Sequence, residues 1–346
     1  MTTSSATLDA LVAACKNGDR LAPPRLISLL ESPDPQVTRA ASRVIASLPL
    51  PKHCIGITGP PGSGKSTLLD YTIGLIRARG QKVAVIAVDP SSPFTGGALL
   101  GDRIRMSSHR SDPGVFIRSM GSRGTVGGLA GAAADALRVL GGAGYDTVFL
   151  ETVGAGQTET EIVRLADTIA VVQVAGLGDD VQLMKMGILE IADLFIVNKA
   201  DRPGAKELQI QIQMALHESP GEVCRALRQL GPAFRAAWKG PEWTPPVVLV
   251  SALEQNGGAD LLAAFDGHKQ FLTSPGLSDV LMRQRLAREL VWRATRRFGD
   301  ALEASVQPGG ALEALVRECA DGKLPLEEAV ERALRTTPGQ AGSPAP

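Results

Sequence analysis

The stretch CIGITGPPGSGKSTLL, residues 54–69, joins an apolar run to a glycine-rich turn and then to a helical pattern. Within it, Gly59, Gly64, Lys65 and Ser66 satisfy the spacing G-x-x-x-x-G-K-[ST] of a phosphate-binding loop. Glycines let successive backbone N–H groups turn towards phosphate oxygens, and the N-terminus of the following helix adds a positive dipole. The strand–loop–helix context disfavours the alternative of an incidental glycine-rich turn.

The stretch therefore predicts a nucleotide site in which Lys65 contacts the β- and γ-phosphates and the Ser66 hydroxyl is a ligand of Mg²⁺. The predicted phosphate-binding residues are Gly59, Pro60, Pro61, Gly62, Ser63, Gly64, Lys65, Ser66 and Thr67.

Further apolar runs of strand length alternate with helical patterns along the chain. The strand runs lie at 54–59, 82–89, 114–120, 146–152, 168–175, 193–199 and 246–253, and helical patterns cover 67–79, 128–140, 205–216 and 222–230. Most of the strand runs are continuously apolar, which is typical of parallel strands covered on both faces. The pattern predicts an α/β fold of the P-loop NTPase type, a mostly parallel sheet flanked by helices, with ligands at the carboxyl edge of the strands.

Helical spacing without strands marks both ends of the chain. It covers residues 7–48, and after about residue 277 it continues through segments near 310–320 and 326–335. We therefore predict an N-terminal helical extension (1–50), a nucleotide-binding domain (51–275), a C-terminal helical arm (276–335) and a disordered tail (336–346).

Composition excludes several classes of protein. Lys and Arg number 36, as do Asp and Glu, so a global electrostatic grip on nucleic acid or on an acidic membrane is not expected. The four cysteines lie far apart, which disfavours a disulfide framework or a zinc site. No apolar run reaches the roughly 18–20 residues needed to cross a bilayer, and the N-terminus lacks the pattern of a signal peptide. A cytoplasmic location is expected.

Two later segments predict which base is bound. FIVNKAD ends a buried strand and supplies Asn198, Lys199 and Asp201. An Asp carboxylate can accept hydrogen bonds from N1–H and the 2-amine of guanine, whereas adenine would leave it without a partner. The Lys199 stem can cover the base and Asn198 can brace neighbouring loops. The backbone of Ser251, Ala252 and Leu253, in the segment VSAL, can meet guanine O6. GTP is the predicted nucleotide.

Three acidic residues fall where a metal would be needed. Asp89 and Glu151 end strand runs, and Asp102 lies in the loop PSSPFTGGALLGDRIRM. With Ser66 they suit Mg²⁺, which prefers oxygen ligands and retains several waters. Asp102 can equally be the N-cap of a helix. Gln157, in ETVGAGQTET, can orient the attacking water, but it follows Gly154 by three residues, so a structural hydrogen bond is an equal alternative.

The segments GPPGSGKST, VDPSSPFTGGALLGDRIRM, ETVGAGQTE and NKAD, in this order, resemble the MeaB/ArgK family of P-loop GTPases, to which the human methylmalonic aciduria type A protein belongs. The resemblance runs from about residue 7 to 335. It implies a homodimeric metallochaperone that uses GTP binding and slow hydrolysis, stimulated by its partner, to gate adenosylcobalamin loading of an acyl-CoA mutase, methylmalonyl-CoA mutase or a relative, and to help reactivate that enzyme.

The resemblance also implies roles for individual residues. Asp89, Asp102 and Glu151 match acidic residues associated with Mg²⁺, and Lys65, Glu151 and Gln157 are the candidate catalytic residues. Gln182 and Lys185, in GLGDDVQLMKMG, match a switch loop that senses the mutase. The C-terminal helices match a dimerisation arm. Adenosylcobalamin is expected on the partner, not on this chain, and participation of an adenosyltransferase is left open.

Two alternatives from other classes share part of these motifs. A metal-insertion GTPase for nickel or cobalt would need a cluster of His and Cys, yet only His53 and Cys54 are neighbours among four histidines and four cysteines. A P-loop kinase for a small molecule would need an acceptor pocket and would have no use for a guanine-reading Asp201.

Overall fold

The computed structural model describes residues 5–89, 107–109, 111–121, 128–152, 164–176, 188–218 and 224–336. The chain divides into two compact units, Met1–Leu281 and Met282–Pro346. Four candidate site residues, Asp102, Gln157, Gln182 and Lys185, lie outside the described ranges, as do Gly154 and the segment 337–346.

The first unit is built on a seven-stranded sheet. Its strands are β1 His53–Thr58, β2 Val83–Asp89, β3 Val115–Gly121, β4 Thr147–Thr152, β5 Thr168–Gln173, β6 Leu194–Asn198 and β7 Val247–Val250. Their order is β3-β2-β4-β1-β5-β6-β7, and every pairing is parallel. The predicted α/β class with a parallel sheet is confirmed. Because β1 lies between β4 and β5, the loop that follows β1 begins at the centre of the carboxyl edge.

Helices flank the sheet and continue beyond it. They are α1 Ser5–Lys16, α2 Ala22–Leu30, α3 Pro35–Ile45, α4 Lys65–Ala78, α5 Gly128–Gly142, α6 Ile188–Ile191, α7 Ala205–Glu218, α8 Arg225–Gln229, α9 Pro232–Ala237, α10 Gly258–Leu272, α11 Ser278–Val306, α12 Glu313–Ala320 and α13 Leu326–Thr336, with a 3₁₀ turn at Ser107–His109. The helix predicted near 310–320 begins only at Glu313, because Gly309 takes a φ of 82° and its N–H bonds the Glu313 carboxylate at 2.8 Å.

Each face of the sheet has its own apolar core. Ile55, Ile57 and Phe149 pack with α4 and α10 on one face. On the other face α1, α2, α3, α5 and α7 cover the strands, and Leu26 and Ile27 of α2 are completely buried there. Successive strand residues point to opposite faces, and the strands are mainly apolar on both sides, as the continuous runs indicated, except for the half-buried edge strand β3, which carries Arg118 and Ser119. The predicted division into four domains stays a prediction.

A buried polar network lies at the amino edge of the strands, away from the loop after β1. His53 Nε2 is 2.6 Å from Thr168 Oγ1, which in turn is 2.7 Å from Nδ1 of His268 on α10. His268 Nε2 lies 3.6 Å from Asp193 Oδ1, and the other oxygen of Asp193 accepts a hydrogen bond from Nε of Arg225 at 2.8 Å. All five residues are buried.

Burial controls the protonation of both histidines in this network. It is the main cause that lowers the pKa of His53 to about 3 and that of His268 to about 4. His53 and Cys54, neighbours in the sequence, do not form a common site: on a strand they face opposite sides, and the Cys54 side chain lies in the apolar core.

The second unit is helical. It contains α11 from Met282 onwards, together with α12 and α13. Arg332 of α13 lies 3.8 Å from Glu318 of α12 and also bonds Glu328 at 2.7 Å on its own helix. Within the described residues, no helix combines the length and the apolar character required to traverse a bilayer.

Candidate nucleotide-binding site

The loop after β1 has the backbone shape of a phosphate cradle. Gly59, Gly62 and Gly64 take φ values of 142°, 79° and 83°, a region that residues with a Cβ rarely adopt. A Cβ on Gly59 would lie 2.2 Å from the carbonyl oxygen of Val172, so the loop passes directly over β5. The N-terminus of α4 follows at once, beginning at Lys65. The backbone N–H groups at the start of a helix and the helix dipole favour an anion here.

Lys65 is buried and folded back across the loop. Its Nζ donates to the carbonyl oxygens of Gly59 at 2.8 Å and of Pro60 at 3.1 Å. The ammonium group therefore stands over the cradle, where it can meet the charge of a polyphosphate.

The segment after β6 is bonded to this loop although about 135 residues separate them in the chain. Asn198 Nδ2 donates to the carbonyl of Ser63 at 2.9 Å, and Lys199 Nζ donates to the carbonyl of Gly62 at 2.8 Å. Lys199 takes a φ of 56°, which is uncommon for a residue with a side chain. The two side chains thereby fix the segment that carries Asp201 beside the phosphate cradle.

Asp201 and Ser251 meet at the same edge of the sheet. The Ser251 hydroxyl donates to Asp201 Oδ1, and this hydrogen bond is the largest cause of the lowered pKa of the exposed Asp201 carboxyl. The side chain is therefore an anion at neutral pH. Ala252 N–H points to Asn198 Oδ1 at a long 3.4 Å, and the Leu253 side chain is 79% exposed beside it. An anionic acceptor thus stands next to a loop of backbone donors.

Ser66 and Glu151 form the remaining polar contact of the site. Ser66 Oγ donates to Glu151 Oε1 at 2.8 Å, and Glu151, at the end of β4, is only 3% exposed. Asp89 is the last residue of β2, two strands from β1, and its backbone pairs with Gly121. Its side chain is outside the described part of the structure. Among the described residues no three His, Cys, Asp or Glu side chains form a ready-made metal cluster.

The structure thus brings together the phosphate loop, Asn198, Lys199, Asp201, the segment 251–253 and Glu151. It adds one residue that the sequence did not suggest. Tyr71 of α4 donates its hydroxyl to the carbonyl of Gln255 at 2.8 Å. A single tyrosine on a helix with no motif around it gives no signal in a sequence, because its partner is a backbone atom 184 residues away.

Comparisons with known proteins give the family of this chain. The sequence profile of the family described as "Methylmalonyl Co-A mutase-associated GTPase MeaB" matches residues 23–306. A protein of Pyrococcus abyssi is 42% identical over 328 residues, which cover 95% of this chain and 96% of the relative. The GTPase ArgK of Escherichia coli is 36% identical over 287 residues, 82% of each chain.

A solved structure has a similar fold. The crystal structure described as that of a LAO/AO transport system kinase superposes with a TM-score of 0.63 at 27% identity, covering 96% of this chain and 98% of the other. The family profile covers most of the chain, and the two relatives align with 95% and 82% of it. The chain belongs to the MeaB family of methylmalonyl-CoA mutase-associated P-loop GTPases.

Proposed function

We propose that this chain binds and slowly hydrolyses GTP at the carboxyl edge of the sheet, and that its nucleotide state gates the loading of adenosylcobalamin onto an acyl-CoA mutase. The observation that carries the nucleotide part is the convergence of three distant segments, 59–67, 198–201 and 251–253, through bonds between their own atoms. A phosphate cradle and an anionic acceptor beside backbone donors match the two ends of a guanine nucleotide.

Asp201 is the residue proposed to select guanine. As an anion it accepts hydrogen bonds from N1–H and the 2-amine, and the Ser251 hydroxyl, which donates to Oδ1, holds the carboxylate in place. Adenine offers an acceptor at N1 and no amine at C2. A carboxylate that faces it would lose its water without gaining a partner, which is the basis for strong discrimination.

The donor set beside the cradle fits Mg²⁺. Ser66 and Glu151 place a hydroxyl and a buried carboxylate 2.8 Å apart at the start of α4, and hard oxygen donors of this kind are what the ion prefers. We propose that Ser66, Asp89, Asp102 and Glu151 hold it, directly or through water. When bound, the ion supplies counter-charge to the β- and γ-phosphates.

The hydrolytic and sensing residues are proposed from the family resemblance. Lys65 neutralises the developing charge, Glu151 and Gln157 order the attacking water, and Gln182 and Lys185 respond to the partner. A slow rate in isolation suits a protein whose nucleotide state is a signal, because the bound state must outlast the partner's own cofactor exchange.

The partner is proposed from the family description, which names methylmalonyl-CoA mutase. Adenosylcobalamin would be bound by that enzyme and not by this chain. Homodimerisation through the C-terminal helices is supported by exposed apolar side chains along α11: Leu286 at 46%, Leu290 at 70%, Val291 at 63% and Phe298 at 43% exposure. Apolar surface of this extent on a helix is typical of a face that a second chain covers.

The testing experiment changes the base that the site reads. Asp201→Asn replaces one acceptor oxygen by an amide that can donate to the 2-oxo group of xanthine. We expect GTP to bind roughly ten- to hundredfold more weakly, about 1.5–3 kcal/mol for a hydrogen bond to a charged group, and XTP to replace it. Purified methylmalonyl-CoA mutase should accelerate GTP hydrolysis by the wild type and XTP hydrolysis by the variant. Loading of the mutase with adenosylcobalamin should depend on GTP when the wild type is present and on XTP when the variant is present.

Three results would each contradict a part of the proposal. Equal binding and hydrolysis of ATP and GTP by the wild type would show that the site does not select guanine. Phosphate that appears on a small metabolite instead of in water would indicate a kinase. If Asp201→Asn hydrolyses XTP but the loading of the mutase does not come to depend on XTP, the GTPase activity stands and the chaperone role is wrong.

A further inference from the structure

The loop after β7 is closed on itself by two backbone hydrogen bonds. Ser251 N–H bonds the carbonyl of Asn256 at 3.1 Å, and Asn256 N–H bonds the carbonyl of Ser251 at 3.0 Å. Between them Gln255 takes a φ of 52°, an unfavourable conformation for a residue with a side chain. The loop is thus a small compact unit, which we call the base loop (residues 251–256). Its position in the site depends on what holds it from outside.

One side chain from α4 holds the base loop at its strained residue. The Tyr71 hydroxyl donates to the carbonyl of Gln255 at 2.8 Å. Tyr71 is six residues along α4 from Lys65, about 9 Å along the helix axis. One helix therefore carries the phosphate-binding lysine at its start and the contact to the base loop less than two turns later.

The start of α10 leaves room for this contact. A Cβ on Gly258 would lie 2.4 Å from the Tyr71 hydroxyl oxygen and 2.6 Å from Leu75 Cδ1. Gly258 is the first residue of α10, a position where its own conformation does not demand glycine. Glycine at this position leaves the space that the hydroxyl end of the Tyr71 side chain occupies. Tyr71 of α4 makes this hydrogen bond, and Gly258 of α10 leaves the space for it.

We propose that Tyr71 is a positioning residue for guanine recognition: it sets the distance between the base loop and the phosphate cradle, so that the backbone N–H groups of the loop meet the 6-oxo group of the base. The inference rests on the proposed function and deepens it. In its bound conformation a guanine nucleotide spans one distance between its β-phosphate and O6. Once the phosphates are bound at the start of α4, a loop that is hydrogen-bonded to the same helix lies at a defined distance from O6.

A purely structural role for Tyr71 would have a different signature. If the hydroxyl only helps α4 and α10 to pack, its removal lowers stability and weakens every nucleotide by the same factor. If it positions the base loop, its removal weakens a nucleotide in proportion to how much that nucleotide uses O6. The coupling between the tyrosine hydroxyl and the ligand's 6-position separates the two roles.

The experiment is a cycle between protein and ligand. Dissociation constants of GDP and of 6-thio-GDP, in which a weakly accepting sulfur replaces O6, are measured by calorimetry for the wild type, Tyr71→Phe and Gly258→Ala. We expect Tyr71→Phe to bind GDP about two- to tenfold more weakly, as for the loss of one neutral hydrogen bond, and 6-thio-GDP with less than a twofold change. Gly258→Ala, which displaces the ring, should give the same pattern.

The chain offers a matched control. It has two tyrosines, and the second, Tyr145, lies in the chain segment that connects α5 to β4. Tyr145 is buried, and its ring contacts Phe116 of β3 at a centroid distance of 5.9 Å. Tyr145→Phe should leave both nucleotide affinities unchanged. Thermal midpoints are recorded for all variants, and if Tyr71→Phe does not fold, Gly258→Ala decides the question.

The outcomes separate this inference from the proposed function. Equal loss for GDP and 6-thio-GDP, or undiminished GDP affinity in both variants, would overturn the positioning role while leaving the guanine site intact. A wild-type protein that binds neither nucleotide would overturn both. A smaller 6-thio penalty in the variants than in the wild type supports the assignment.

Discussion

Acid should destabilise this protein through the two buried histidines at the amino edge of the sheet, and His268→Gln isolates one of them. The side chain of His268 lies between Thr168 and Asp193 and is completely buried. Burial is the main cause that lowers its pKa to about 4; Arg225 acts in the same direction and Asp193 opposes it. In the unfolded chain the pKa is that of an ordinary histidine, about 6.5.

The sign follows from which state binds the proton. Between pH 6.5 and about 4 the unfolded chain is protonated at this residue and the folded chain is not, so stability is present above pH 6.5 and is lost as the pH falls. At pH 5 the difference is about 2 kcal/mol, from 1.36 kcal/mol for each pH unit below 6.5. His53, with a pKa of about 3, contributes a similar loss, so the pair accounts for about 4 kcal/mol.

The assay is urea unfolding at pH 7 and pH 5, followed by circular dichroism. We expect His268→Gln to be less stable than the wild type at pH 7, because its hydrogen bond to Thr168 changes, yet to lose about 2 kcal/mol less than the wild type on going to pH 5. His217→Gln is the control, since His217 is exposed near the end of α7. If His268→Gln retains the full pH dependence of the wild type, His268 is not buried as a neutral base and the reasoning fails.

Two further predictions concern the phosphate loop. Lys65→Ala should weaken GTP binding about hundredfold or more, because the ammonium that stands over the cradle is lost; calorimetry showing wild-type affinity would exclude the site. Gly59→Ala should abolish binding and lower the thermal midpoint, because its Cβ would lie 2.2 Å from the Val172 carbonyl oxygen. Gly80→Ala is its control, with a φ of 73° but open space around the Cβ, so only the backbone strain of about 1–2 kcal/mol remains; equal effects of the two substitutions would refute the steric argument.

The sheet and the cradle could be predicted from the sequence because their signals are local. Seven apolar runs correspond to seven strands, with ends shifted by a few residues where a turn intervenes. The strand predicted to reach residue 175 stops at Gln173, and Gly176 then turns with a φ of 78°. The phosphate loop is recognisable because strand, glycines, lysine and helix are consecutive.

The remainder of the site depends on contacts between distant residues, which spacing does not encode. Nothing near Tyr71 indicates that its hydroxyl reaches Gln255, and nothing near Asn198 indicates which carbonyls of the phosphate loop it holds. Residues adjacent in the chain can in turn be separated in space: His53 and Cys54 are neighbours in the sequence, but the strand directs their side chains to opposite faces. The role of Asp102, Gln157, Gln182 and Lys185 stays a prediction.

The helices that precede β1 have a practical consequence for anyone trimming this protein. Leu26, Ile27 and Ile45 are completely buried, and Arg118 of the edge strand β3 bonds both the Pro24 carbonyl at 3.1 Å and the Glu31 carboxylate. A fragment that starts at residue 51 would expose the apolar surface of α5 that these helices cover, at a cost of about 1.5–3 kcal/mol for each large apolar side chain that loses its burial. It would also leave the Arg118 guanidinium without the Glu31 carboxylate. Such a minimal version should precipitate during purification, so an expression plasmid for the nucleotide-binding portion has to retain the first fifty residues.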